Sequence, residues 1–180
     1  MPSLDLILDK LARAQSVFFR AADAVPPEHW GVKPSAKEWS AAELVAHLIV
    51  VERAVLGGAD RITQKTPKRI PLLRRFHLPI WLVEVRTVKL KSPIPQDPGL
   101  VGDKEEMLAE LRDARERTLA FLAETEKRDL SVYCWKHAFL GMLNVYEWFE
   151  MIAAHEQRHA KQMREIVELL PKVVGNTQNR

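Results

Sequence analysis

The sequence predicts an all-α protein, a four-helix bundle with an irregular, proline-rich crossover between helices two and three. Three observations predict it. Four stretches place apolar residues three and four positions apart, the period of a helix with one buried face. Ser40, Asp103 and Asn144 stand where three of these stretches begin, each with a glutamate three residues on, the pattern of a capped helix start. No run alternates apolar and polar residues in the way of a half-buried strand, and no internal repeat is present.

The first helix is expected from Ser3 to Val25. Leu4, Ile7, Leu8, Leu11, Ala14, Phe18, Ala22 and Val25 form its stripe, and Pro26-Pro27 stops it. A connector, Pro26 to Trp39, follows. Ser40-Ala-Ala-Glu43 opens the second helix, expected to end near Gly57-Gly58. Its stripe of Leu44, His47, Val51, Ala54 and Val55 turns an imidazole toward the core. Residues 60–102 hold six of the eleven prolines, which allows only short helical pieces, with one expected within Ile70–Lys91 and bent at Pro79. Asp103 caps a third helix reaching about Lys127, with Met107, Leu108, Leu111, Thr118, Leu119 and Leu122 inward. Arg128–Leu143 reads as a loop. The last helix is expected from Asn144 to Leu170, closed by Pro171.

At 180 residues, 47% hydrophobic and 28% charged, the chain suits one globular domain over 1–174, with 175–180 as a flexible tail. No apolar run approaches a membrane span, and the first residues lack the basic and apolar regions of a secretion signal. A single cysteine, Cys134, allows no internal disulfide and agrees with a cytoplasmic setting. Six histidines beside that one cysteine direct any transition-metal site to nitrogen donors. The net charge of +3 is concentrated in the crossover. Between Asp60 and Lys91, nine Lys/Arg (61, 65, 68, 69, 74, 75, 86, 89, 91) face only Asp60 and Glu84. This stretch reads as a solvated surface or a lid. No zinc-finger, RRM or helix-turn-helix pattern makes it a specific nucleic-acid reader, and Pro79 interrupts the one amphipathic stretch that could lie on a membrane.

The chemistry is concentrated in His155-Glu156-Gln157-Arg158-His159. Positions i and i+4 of a helix point the same way, so His155 and His159 share a stripe with Trp148, Met151, Ile152, Gln162 and Ile166. Three readings stay open from these residues alone. His47 can join the pair in a three-histidine divalent metal site with an open coordination position, the layout of a catalytic centre. His-Glu-x-x-His can be read as a metalloprotease signature with Glu156 as general base, although the glycine spacer and a downstream third ligand are missing. The three rings can also be packed histidines bonded to carbonyls or water. Around them, Gln162 is placed to hydrogen-bond near the site. Arg158 is placed to hold an anionic substrate group or to pair with a neighbouring helix. Glu156 points off the stripe, toward solvent or an ion pair, and Glu43 reads chiefly as the capping partner of Ser40. Trp148 and Met151 read as core, and Cys134 as structural.

Trp39-Ser40-Ala-Ala-Glu-Leu-Val-Ala-His47-Leu resembles the start of helix two in the DinB/YfiT-like superfamily. The run from His137 to Trp148, with Ala153-Ala-His155-Glu-Gln-Arg158-His159-Ala-Lys-Gln162, resembles that family's last-helix motif. The likeness covers both ends of the bundle and leaves the proline-rich middle unmatched. It implies a four-helix bundle that binds one divalent ion, often zinc or nickel, through His47, His155 and His159. It implies a homodimer as well. Relatives include S-transferases of bacillithiol and mycothiol and a mycothiol-dependent isomerase. The implied function is therefore a metal-dependent transferase acting through a low-molecular-weight thiol on a small electrophile; the alternatives are a metal-dependent hydrolase and a metal-binding stress or scaffold protein without turnover. The family's His-Pro before the last helix is His137-Ala138 here, so His137 receives no role.

Overall fold

The computed structural model describes residues 4–67, 77–85 and 101–177, the last seven through their backbone alone. The described chain is mostly helical: α1 (Leu4–Asp23), α2 (Ala41–Thr63), α3 (Lys104–Glu124) and α4 (Val145–Thr177). Short 3-10 turns lie at Pro27–His29, Ile80–Glu84 and Leu130–Val132. Helix α1 lies along α4, α4 also contacts α2, and α2 contacts α3. Ile7, Leu11, Leu122, Leu143, Phe149 and Ile152 fill one part of the interior, and Phe18, Leu44, Ile49, Leu111 and Met163 the other. Trp148 and Met151 are buried with them. Leu119 and Ala54, expected inward, are exposed, since each sits at the edge of its helix's stripe where the neighbouring helix no longer covers it.

Two of the three capped starts form as reciprocal pairs. Ser40 Oγ accepts from the Glu43 amide at 3.2 Å while Glu43 Oε2 accepts from the Ser40 amide at 3.0 Å. Asn144 and Glu147 do the same at 3.1 and 2.8 Å. Each satisfies two amides that the first helical turn leaves orphaned. Asp103 caps α3 differently, through the Glu105 amide at 2.8 Å.

The all-α expectation is corrected by a two-stranded antiparallel sheet, β1 (Cys134–His137) and β2 (Gly141–Asn144), within the stretch read as a loop. Four-residue strands are too short to reveal alternation. The turn closes because Gly141 adopts φ 106°, a conformation costly for residues with a side chain. The crossover docks on this hairpin: His77 bridges Gly141, and the Leu78 amide donates to the Leu140 carbonyl at 2.8 Å. Of the helix expected within Ile70–Lys91, the described part is the 3-10 turn that starts after Pro79; the remainder lies outside the described residues. So do seven of the nine basic side chains, all but Arg61 and Lys65.

Two helix ends lie beyond their expected positions. Pro171 does not close α4, which continues to Thr177; a proline removes only its own amide from the hydrogen-bond ladder, and the turns on either side stay helical here. Gly175–Thr177 therefore belong to the helix and not to a tail. Helix α2 continues through Gly57-Gly58 to Thr63. Gly58 has a reason to be small: a Cβ there would stand 3.2 Å from Cζ2 of Trp135, whose indole is stacked on Trp148 with centroids 4.6 Å apart. At Gly57 the nearest atom is the mobile Arg61 Nη1 at 3.4 Å. Gly57→Ala is expected to raise stability by about 0.5–1 kcal/mol through helix propensity. Gly58→Ala is expected to forfeit that gain as the stacked indoles are displaced. Urea denaturation of the two variants side by side checks the difference.

Candidate metal centre

Helices α2 and α4 bring together the three imidazoles that the sequence singled out. His47 is 4% exposed, His159 is 5% exposed, and His155 is half-buried. His155 Nε2 lies 3.3 Å from His47 Nε2 and 3.0 Å from His159 Nε2, so the same ring atom of each residue faces a common point. These spacings can be compared with those an ion requires. At about 2.0–2.1 Å from a shared ion, two nitrogens stand about 2.9 Å apart at a right angle and about 3.4 Å apart at the tetrahedral angle. The three residues fit a divalent ion on that test, and their donor atoms could hold one.

Protonation agrees with the geometry. Gln162 Oε1 lies 2.9 Å from His159 Nδ1; a carbonyl oxygen only accepts, so the proton sits on Nδ1 and Nε2 presents its lone pair. Burial lowers the His47 pKa to about 4. Burial also holds His155 well below the usual imidazole range, with the neighbouring His159 and His47 adding to the effect. Both rings are thus neutral at pH 7, the form that ligates metals. The Trp39 indole roofs the centre, its centroid 5.0 Å from His47 and 6.2 Å from His159, nearly parallel to the latter at 15°. His47 Nδ1 is buried without a hydrogen-bond partner.

Gln162 therefore lies where the sequence placed it, beside the centre. Gln162→Leu is expected to weaken zinc binding roughly 10–100-fold, the usual effect of removing the hydrogen bond that orients a ligand, as read by competition with a chromophoric chelator.

The other candidates are held elsewhere. The Arg158 guanidinium donates to the backbone carbonyls of Val83 and Val85, fastening the crossover to α4. Lys161 reaches the Glu84 carbonyl in the same stretch at 3.4 Å. Glu43 stays with its cap and pairs with Lys33 at 2.6 Å. His137 accepts the Phe139 and Leu140 amides, both at 3.1 Å, and so shapes the hairpin turn. The Cys134 thiol lies 3.7 Å from the Ser131 carbonyl.

Glu156 is not solvated. It is 2% exposed and pairs with Arg115 at 3.0 Å. Burial pushes its pKa up to about 7, against the pull of Arg115. Arg115, itself 2% exposed, also donates to both oxygens of Glu52, at 2.7 and 3.1 Å, and to the Leu11 carbonyl at 2.9 Å. This buried cluster was not anticipated from sequence, yet a signal was there. Arg115 falls on the apolar stripe of Leu111, Thr118 and Leu122; Glu52 falls on that of Leu48, Val55 and Ala59; Glu156 falls on that of Phe149, Ile152 and Met163. Opposite charges on three inward stripes are obliged to find one another.

The chain is 29% identical over 143 residues to YuaE, an uncharacterized protein of Bacillus subtilis (strain 168), covering 78% of this chain and 84% of that protein. No solved structure gives a significant match. The family model of the DinB superfamily matches residues 10–163, a span that includes all three imidazoles, and the chain belongs to that superfamily.

Proposed function

We propose that this protein is a divalent-metal-dependent enzyme that transfers a low-molecular-weight thiol to a small electrophile, with His47, His155 and His159 as the metal ligands. The observation that carries the reading is the convergence of three Nε2 atoms with spacings of 3.0 and 3.3 Å. Three nitrogen ligands leave a coordination position free for a substrate, whereas a structural site is closed by four protein ligands. A bound zinc or nickel ion would supply Lewis acidity, lowering the pKa of a thiol so that its nucleophilic thiolate prevails at neutral pH.

The chain's own residues serve that chemistry in distinct ways. His47 and His155, neutral at pH 7, would hold the ion without competing for protons, with His159 as the third donor. Gln162 fixes the His159 ring, and Trp39 shields the face above His47 and His159. The half-buried side chains of His155 and Gln162 leave an approach from solvent for a small substrate. Arg158 and Lys161 keep residues 83–85 against α4 next to that approach.

The test is conjugate formation. The zinc- or nickel-loaded protein, incubated with bacillithiol or mycothiol and a panel of epoxides and alkyl halides, is expected to yield thioethers detectable by mass spectrometry. Chelation and His155→Ala are expected to abolish the product. A protein that binds one ion tightly yet forms no conjugate, and hydrolyses none of the panel, would be a metal-binding protein without turnover.

A further inference from the structure

We infer that the buried Arg115–Glu52–Glu156 cluster is the counter-charge of the metal centre, so that the carboxylate of Glu156 sets how tightly the divalent ion is held. The inference rests on the metal reading of the three imidazoles and deepens it. Three neutral imidazoles contribute no charge. A divalent ion among them brings two positive charges into the interior, where uncompensated charge is costly. The cluster has the opposite surplus, with two carboxylates meeting one guanidinium through bonds of 2.7–3.1 Å.

Its position matches that role. The two helices that supply the imidazoles also supply the carboxylates: Glu52 follows His47 by five residues on α2, and Glu156 directly follows His155 on α4. Helix α3 contributes only the arginine. The pairing is also incomplete in a telling place. Glu156 Oε2 bonds Arg115, while Glu156 Oε1 is buried with no hydrogen-bond partner. A cluster built only to staple helices would have no reason to retain this surplus beside the rings. On the other side of His155, the Arg158 guanidinium is committed to the Val83 and Val85 carbonyls.

The experiment measures zinc and cobalt(II) binding to the apo full-length protein at pH 8 by chelator competition, with circular dichroism to verify folding. Glu156→Gln and Glu52→Gln each remove one negative charge and little volume. Each is expected to weaken zinc binding about fivefold or more while leaving one ion per chain and the cobalt(II) visible spectrum unchanged. Glu156→Asp and Arg115→Lys keep the charge and disturb the packing. They are expected to bind zinc within about threefold of wild type even where they lower thermal stability, a separation that a merely structural cluster would not produce. Amide variants that bind zinc as the wild type does would overturn the counter-charge role and leave the metal centre standing. An altered cobalt(II) spectrum in the amide variants would overturn it too, since the carboxylates would then be shaping the coordination itself. A wild-type protein that binds neither ion would instead remove the metal reading beneath it.

Discussion

His155→Ala is expected to abolish stoichiometric metal binding. Elemental analysis of the purified wild type should find close to one equivalent of zinc or nickel per chain, and the variant should carry close to none. His155 Nε2 is the atom that lies near both other rings, at 3.3 Å from His47 and 3.0 Å from His159. Its removal leaves two nitrogens with no shared neighbour. The loss should exceed the roughly 10–100-fold that follows removal of an outer hydrogen-bond partner. The same substitution separates binding from folding. An ion present at 1,000 times its Kd stabilises the native state by about 4 kcal/mol, a rise in Tm of about 10 °C for a chain of this size. Added zinc should produce that rise in the wild type and none in His155→Ala. Equal metal content in the two proteins would refute the site.

The second large effect lies in the buried cluster. Arg115→Met is expected to cost about 3–5 kcal/mol, because it leaves Glu52 and Glu156, both almost fully buried, without their partner. Urea denaturation measures the loss directly, and a fall in Tm of about 10 °C should accompany it. Replacing all three members together by apolar residues, Arg115→Met with Glu52→Leu and Glu156→Leu, should regain most of the stability, since no buried charge is then stranded.

How much of this was legible in the sequence depended on how local each feature is. The starts of α2 and α4 were readable because Ser40–Glu43 and Asn144–Glu147 carry their whole cap within four residues. His155 and His159 were readable because a single helix fixes their relation. His47 could be assigned an inward direction, but its meeting with α4 is tertiary, and the family likeness pointed to it. The hairpin was hidden because four-residue strands contain too little pattern, with Gly141 the sole residue that marks the bend. Helix α2 overran Gly57-Gly58 because packing against Trp135 outweighs a modest propensity cost. The Arg115 cluster needed three helices at once. The imidazole stripe leaves Glu156 to solvent or an ion pair, and periodicity cannot say that the helix faces carrying Arg115, Glu52 and Glu156 meet.

The partition of the imidazoles between α2 and α4 also determines when a cation can be captured during biosynthesis. A nascent chain released from the ribosome tunnel only as far as the hairpin displays His47 and nothing to complete it. Capture of an ion by all three rings would therefore await synthesis of the last helix and its docking. Which cation such a centre would take would then depend on what the surrounding pool offers once that helix has docked, since three imidazoles accept several first-row ions.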